Sequence, residues 1–181
     1  MNNRCNENFS SFPSFNCEFS LGKKLIDIFS NCFSFHTLNK KNNHNIKSHL
    51  WYLNNITIQA LSDFLSVVVV MNTSIKNQIT TLISHIHSHN NPVIKTIHHV
   101  INVMSTEARL FAIRCGINQA TYLPNVNQIF VITDSIYAAM RIFNSLLHPY
   151  QIQSTSISYK LRKFFKKDDN NFIEFWDCPS N

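Results

Sequence analysis

Beyond Leu65, apolar residues recur with the periods of strands and helices. Val67–Met71 is a β-branched run, which predicts a buried strand, and Asn72–Asn77 is rich in turn-forming residues. Two further β-type stretches, Ile79–His89 and Val93–Val103, are separated by an Asn-Asn-Pro turn. The pattern therefore predicts three consecutive strands that form a meander.

Helical periodicity follows this meander and alternates with two more strands. Ser105 or Thr106 can cap a helix that runs to about Ala120, and Glu107 is favourably placed in its first turn. The later predicted elements are a strand at Ile129–Thr133, helices at Ser135–Leu147 and Ser154–Lys167, and a strand at Phe172–Trp176. The inward-facing stripes are predicted at Leu110, Ile113 and Ile117 in the first helix, at Ile136, Met140, Phe143 and Leu147 in the second, and at Ile157, Leu161, Phe164 and Phe165 in the last. The predicted order is β-β-β-α-β-α-α-β.

The first third of the chain has a weaker pattern. Leu21–Phe33 carries one apolar helical face, Asn39–Lys47 has the polar composition of a linker, and Leu50–Leu65 can form a short helix. The apolar helical face consists of Leu21, Leu25, Ile28, Phe29 and Cys32. We therefore expect residues 1–65 to be an irregular N-terminal region with one or two short helices, and residues 66–181 to be the folded domain.

Composition narrows the function classes. The chain has 181 residues, with 16 Lys+Arg against 10 Asp+Glu and a net charge of +6, which permits nucleic acid as a partner. Its 2 glycines cannot build a Gly-rich phosphate loop, and its 5 scattered cysteines contain no CxxC pair. The N-terminus lacks a secretory signal pattern and the longest apolar run is too short for a bilayer. These features predict an intracellular protein, nuclear or cytoplasmic and not secreted, with no membrane partner.

Four segments carry a resemblance to a known family. TEARLFAIRCGINQA resembles the first helix of that family's domain, where AEL-like motifs open the helix. IFVITDSIYAAMRIF resembles the family's fourth strand and the helix that follows it, whose signature is a TDS-like tripeptide. VVVVMNTSIKN is similar to the first strand, which normally ends in a D-x-S-type motif, and IEFWDCPS takes the place of the last strand. The family is the type-1 ribonuclease H (RNase H-like) domain of retrotransposon and reverse-transcriptase polyproteins.

The resemblance covers roughly Ser66–Asn181 and implies a fold and an activity. The fold would be α/β, a mixed RNase H-like sheet with strand order 3-2-1-4-5 flanked by helices, lacking the family's final helix, which would follow Asn181. The implied ancestral activity is endonucleolytic hydrolysis of RNA in RNA–DNA hybrids by two-metal-ion catalysis with Mg²⁺ or Mn²⁺.

Carried over residue by residue, the family's site is degenerate in this chain. Asp134 retains the fourth-strand carboxylate and would be the metal ligand, whereas Asn72 stands at the first-strand position and Arg109 at the helix glutamate. An amide oxygen is a weak ligand for Mg²⁺, and a guanidinium has no acceptor for a cation. The fourth carboxylate would lie beyond Asn181. We therefore expect this copy to be weak or inactive, with doubtful binding of metal.

Two residue-level alternatives remain open. Glu107 could replace the missing helix carboxylate, but it lies ~200° around the helix from Arg109, so a shifted helical register would be required. Asp134 could instead be an ordinary helix cap at the start of the next helix.

Two polar groups suggest binding of a ligand. Histidines alternate along one predicted strand, with two more on its neighbour; this pattern suits either a zinc or copper site or a solvated or nucleic-acid-facing sheet edge. They are His85, His87 and His89, with His98 and His99. A basic helix can contact phosphates or be a solvated face, through Lys160, Arg162, Lys163, Lys166 and Lys167.

The sequence thus leaves three functional hypotheses. One is the hybrid-cleaving domain described above, and a second is a non-catalytic nucleic-acid-binding or interaction module that keeps the fold. A third is a decayed coding fragment with no selected function. Only the first two name a partner, which is an RNA–DNA hybrid or another nucleic acid.

Overall fold

The computed structural model describes residues 25–37, 43–62, 66–76, 79–88, 94–101, 105–143 and 151–178. Its strands are β1 (Phe33–His36), β2 (Ser66–Lys76), β3 (Ile79–Ser88), β4 (Ile94–Ile101), β5 (Gln128–Thr133) and β6 (Phe172–Asp177). Its helices are α1 (Asn43–Ser62), α2 (Ser105–Ala120), α3 (Ile136–Met140) and α4 (Gln151–Lys167), with 3-10 turns at Ser30–Cys32 and Arg141–Phe143.

The described strands form one mixed six-stranded sheet in the order β1-β6-β5-β2-β3-β4. β2, β3 and β4 pair antiparallel, whereas β5 pairs parallel to β2 and β6 pairs parallel to β5. Numbered along the chain from β2 to β6, these five strands stand in the order 3-2-1-4-5, with helical crossovers between the parallel strands. The predicted RNase H-like fold class is confirmed by this topology.

The main core lies between one face of the sheet and helices α2, α3 and α4. Leu110, Ile113 and Ile117 are all 0% exposed, as the apolar stripe of α2 predicts. The stripe of α4 is buried in the same cluster, at Ile157, Leu161, Phe164 and Phe165. On the other face, Leu53 of α1 packs with side chains of β2, β5 and β6. The central strands are therefore covered on both faces, which explains their continuous apolar runs.

The second predicted helix, Ser135–Leu147, is divided in the structure. α3 is followed at once by the Arg141–Phe143 3-10 turn, and residues 144–150, including Leu147, lie outside the described residues. Ile136 and Phe143 are buried as predicted, while Met140 is half-buried against the core.

The prediction of a turn at Asn72–Asn77 is wrong over the described part of that segment. β2 continues to Lys76, and each of its residues from Val67 onward pairs with one on β3, ending with Lys76 opposite Ile79. The antiparallel ladder satisfies the backbone groups of these polar residues, so the sheet register overrides their local turn preference.

The first third of the chain contributes a strand that its sequence pattern did not indicate. The apolar helical face predicted over Leu21–Phe33 is helical only over residues 25–29 in the described part, and Ile28 on that face is 57% exposed. The chain then enters β1, which pairs parallel to β6 from Phe33 opposite Ile173 to His36 opposite Trp176. α1 is longer than the short helix predicted at Leu50–Leu65 and begins within the polar stretch that we interpreted as a linker.

Phenylalanines join this strand to the rest of the core. Phe33 stacks on Phe143 with ring centroids 4.3 Å apart, and Phe35 stacks on Phe175 at 5.0 Å. Phe35 also meets Phe143 edge-on at 5.3 Å. Side chains from both sides of residue 65 therefore share one hydrophobic cluster.

α1 spans 20 residues and has a partly apolar outer face. Trp51, Tyr52 and Ile58 are 62%, 54% and 58% exposed. Of the helices in the described ranges, none combines the length and the apolar character that crossing a bilayer requires.

Candidate functional site

Two of the predicted site positions follow the end of the parallel pairing between β2 and β5. Val70 lies opposite Ile132 in the parallel register. Asn72 lies two residues beyond Val70 on β2, and Asp134 lies two residues beyond Ile132, just after the end of β5. The assignment of both positions to the family's site stays a prediction.

Arg109 is the third position, and it contacts the retained aspartate. It lies in the first half of α2, with its Nε 3.5 Å from Oδ1 of Asp134. The two side chains are 30% and 19% exposed, so the ion pair is only partly screened by solvent. Nε of Arg109 is enclosed and makes no hydrogen bond within the described ranges, so this contact is Coulombic.

The residues present at this point do not fit a pair of divalent cations. Mg²⁺ sites of this kind need several converging carboxylate oxygens. Here the Asp134 carboxylate faces a guanidinium, which repels a metal ion and cannot ligate it. Across the described parts of the chain, no group of three or more His, Cys, Asp or Glu side chains is close enough to hold a metal.

Glu107 does not share the position of Arg109. Both residues lie in α2, two positions apart, and residues so spaced point to different sides of a helix. Because Arg109 faces Asp134, Glu107 could supply a second carboxylate beside Asp134 only after a change in the helical register.

The alternative in which Asp134 itself caps the next helix is wrong, because the helix starts one residue later. The N-cap of α3 is Ser135, and its side chain makes no capping hydrogen bond. The Ser135 backbone N–H donates to the Thr133 hydroxyl at 3.1 Å, which tightens the turn at the end of β5. Asp134 therefore precedes the cap position and is held beside Arg109.

The basic helix predicted at the C-terminal end is α4, and its cations lie on its outer side. Lys163, Lys166 and Lys167 are exposed, and Lys160 and Arg162 are half-buried. α4 contains no acidic residue, although Asp168 and Asp169 follow it directly and are exposed. The predicted basic face is thus accessible to a ligand.

The strand register separates the two histidine groups that we considered as a zinc or copper site. His85 lies opposite Lys95, whereas His98 lies opposite Leu82. Leu82 and His85 are three positions apart on β3, which corresponds to about 10 Å along an extended strand. His85 and His98 therefore lie at different levels of the sheet. His89 falls outside the described residues.

A polar cluster that sequence reasoning missed lies between β1, β6 and α1. The ring of His36 stacks on Trp176 with centroids 3.7 Å apart, and its Nε2 is 3.1 Å from Oε2 of Glu174. Trp176 Nε1 donates to the same carboxylate oxygen at 2.8 Å. Nε2 of His49 donates to the backbone carbonyl of Asp177. These residues come from three distant segments, so no local sequence pattern could reveal the cluster.

The cluster predicts a pH dependence of stability. Burial lowers the pKa of His36 below its ordinary value, and the nearby His49 adds to this effect, while the Glu174 carboxylate opposes it. Since the pKa is lower in the folded state, the unfolded chain binds the proton more readily, and acidification destabilises the fold. We expect the melting temperature to fall as pH decreases from about 7.5 to about 5.

A matched pair of variants tests this contribution. His36→Gln should reduce the slope of melting temperature against pH. His87→Gln leaves the His36 site unchanged, so the part of the slope that His36 contributes should remain. An unchanged slope in His36→Gln would contradict the assignment to this ring.

No protein-family model matches the chain, and no curated protein sequence does either. Among solved structures, the chain is similar to RNase H1 from the halophilic archaeon Halobacterium salinarum NRC-1, with 9% sequence identity and a TM-score of 0.46. The match covers 62% of this chain and 85% of the archaeal one. The RNase H-like fold assigned to this chain rests on its own strand order and crossovers.

Proposed function

We propose that this chain is an RNase H-like domain that binds nucleic acid and whose hydrolytic site is weak or inactive. The observation that carries the proposal is the ion pair between Arg109 and Asp134, at 3.5 Å. It supports a site in which the guanidinium of Arg109 lies beside Asp134, where the family would place metal ions, within the same fold.

The charges around Asp134 disfavour hydrolysis of a phosphodiester. In-line hydrolysis of a phosphodiester uses metal ions to activate water and to stabilise the leaving oxygen. Arg109 brings positive charge next to Asp134, and Asn72 supplies no negative charge at the neighbouring strand position. Among the described residues, a pair of Mg²⁺ or Mn²⁺ ions would therefore lack the carboxylates that compensate their charge at this point.

The positively charged surface of α4 favours binding of nucleic acid. The chain has a net charge of +6, and α4 carries five cations and no acid. Lysine and arginine neutralise backbone phosphates without reading bases, which provides affinity independent of sequence. An RNA–DNA hybrid would in addition offer 2′-hydroxyl groups in an accessible minor groove.

We expect the purified protein to bind an RNA–DNA hybrid without cleaving it. Affinity should fall as salt rises, and the double variant Lys166→Gln/Lys167→Gln should make the slope of log K against log salt shallower by about 0.9 for each phosphate that is no longer neutralised. Lys47→Gln, which replaces a lysine of α1, is the matched control and should leave the slope unchanged. The measurement is fluorescence anisotropy with a labelled hybrid at several salt concentrations.

Cleavage assays with Mg²⁺ and with Mn²⁺ complete this experiment. Product formation should stay at the level of a buffer control, both in the unmodified protein and in Asp134→Asn. Robust turnover that Asp134→Asn abolishes would overturn the proposal and support an active hybrid ribonuclease. Absence of any salt-sensitive binding would overturn the binding part.

The mobile-element origin is a further proposal that depends on the motif resemblance. Its support is the order of the four segments that resemble retrotransposon RNase H domains. The flanking DNA tests it, since an upstream reverse-transcriptase reading frame is the expected finding.

A further inference from the structure

Tyrosines and lysines share one surface on the outside of the helical layer. Tyr122 follows α2 and is 77% exposed, and Nζ of Lys160 lies 3.8 Å from its ring centroid. Tyr159 of α4 is 53% exposed, and Nζ of Lys163 lies 4.5 Å from its ring centroid. We call Tyr122, Tyr159, Lys160 and Lys163 the tyrosine–lysine surface.

The second pair is also linked through the phenol. A hydrogen bond from the Lys163 ammonium, together with its charge, lowers the pKa of Tyr159 from its ordinary value. This contact and the cation–π contact hold ring and ammonium together at a solvent-exposed position. An aromatic ring beside a positive charge at an exposed position can meet both the base and the phosphate of a nucleotide.

Helical geometry extends this surface along α4. Residues three and four apart lie on one side of a helix, so Tyr159, Lys163 and Lys166 form one row and Lys160, Lys163 and Lys167 another. The opposite side of α4 is buried in the core, at Ile157, Leu161, Phe164 and Phe165. The rows therefore face solvent, and Asp168 and Asp169 limit them at the C-terminal end of α4.

We propose that the tyrosine–lysine surface binds single-stranded nucleic acid, with bases stacked on Tyr122 and Tyr159 and phosphates held by Lys160 and Lys163. This inference rests on the proposed function and deepens it, because it adds single strands to the nucleic acids bound and names the residues that bind them. With one lysine over each ring, Tyr122 and Tyr159 are still 77% and 53% exposed, so ring surface remains accessible to a base. Bases within a duplex stack on one another, so only an unpaired strand can use both tyrosines.

The complementarity to this ligand has two components on the same surface. The lysines, which recur at helical spacing, attract the phosphates of a polyanion. The two exposed tyrosine rings can stack on a base of any type. An acidic peptide would use the lysines but would gain nothing comparable from the tyrosines. Weaker binding on tyrosine replacement is therefore the property that distinguishes the two ligands.

The test compares Tyr122→Leu/Tyr159→Leu with Tyr137→Leu, which replaces a 76% exposed tyrosine of α3 outside this surface. The ligands are a labelled oligothymidylate and a labelled oligouridylate of about 12 nucleotides, and a duplex of the same length. We expect the double variant to bind both single strands about 10-fold more weakly or worse, with a change below about 2-fold for the duplex. Tyr137→Leu should bind all three ligands like the unmodified protein.

A second pair of variants separates this inference from the proposed function. Lys160→Gln/Lys163→Gln should make the salt slope for single strands shallower by about 0.7 for each phosphate that is no longer neutralised. Salt-sensitive binding to hybrid together with an unaffected single-strand affinity in the tyrosine double variant would overturn the inference alone. An equal decrease in affinity for duplex and single strands would also overturn it. Failure of the unmodified protein to bind any of these nucleic acids would overturn both.

Discussion

Phe175→Ala is expected to lower the free energy of unfolding by about 3–5 kcal/mol, because it removes a large side chain from a fully enclosed site. Phe175 is 0% exposed and lies on β6, between β1 and β5. Its ring stacks on Phe35 and meets Phe143 edge-on at 5.9 Å. Truncation would leave a cavity at the place where the first third of the chain joins the main core.

Urea denaturation monitored by circular dichroism measures this change. Tyr137→Ala is the control, because this tyrosine is 76% exposed and its removal should alter the free energy by no more than about 0.5 kcal/mol. A change below about 1 kcal/mol in Phe175→Ala would show that the β1–β6 aromatic cluster is not packed as described.

The double variant Asn72→Asp/Arg109→Glu is expected to convert the Arg109–Asp134 ion pair into a cation site. Without metal it should be less stable than the unmodified chain by about 1–3 kcal/mol, because the carboxylates repel one another and Asp134 loses its partner. With Mn²⁺ or Mg²⁺ at about 100 times the dissociation constant, binding to the folded state should return about 2.7 kcal/mol. The unmodified chain should show no such gain.

Melting temperatures with and without metal measure this conversion. The triple variant with Asp134→Asn is the control, and the metal-dependent rise should disappear in it. If the double variant does not respond to metal, then the alignment of Asn72 and Arg109 with the family's carboxylate positions is wrong.

The candidate site shows how far sequence reasoning reached. Asp134 is predicted as a site residue because a TDS-like tripeptide follows an apolar strand, and Asn72 and Arg109 are predicted from the order of the segments. The structure adds that Arg109 contacts Asp134, at 3.5 Å. That contact depends on how α2 lies on the sheet, where it packs against β2 and β3, and no spacing along the chain determines such a distance.

The tyrosine–lysine surface shows the opposite case. The lysines of α4 are recognisable from their density in one amphipathic helix, since helical period alone assigns them to the outer side. Tyr122 belongs to a different element, and its contact with Lys160 arises only because α2 and α4 pack side by side. Charge could therefore be read from the sequence, whereas the aromatic component required the fold.

By itself, the amino-acid sequence determined the order and type of most elements after residue 65 and the residues that α2 and α4 bury. Hydrophobic periodicity is local, so Leu110, Ile113 and Ile117 specify a buried helical face without knowledge of its partner. The same holds for the apolar runs of β2 and β5, which need cover on both faces.

Only the tertiary structure decided where β1 pairs, how far β2 extends and which charge faces Asp134. Phe33 pairs with Ile173, 140 positions later, and a strand of four residues carries too little periodicity to indicate such a partner. Lys76 is in a strand because Ile79 closes the ladder opposite it, and not because of its neighbours in sequence. These features depend on contacts between distant segments, whose free energy outweighs the weak local preferences of the residues involved.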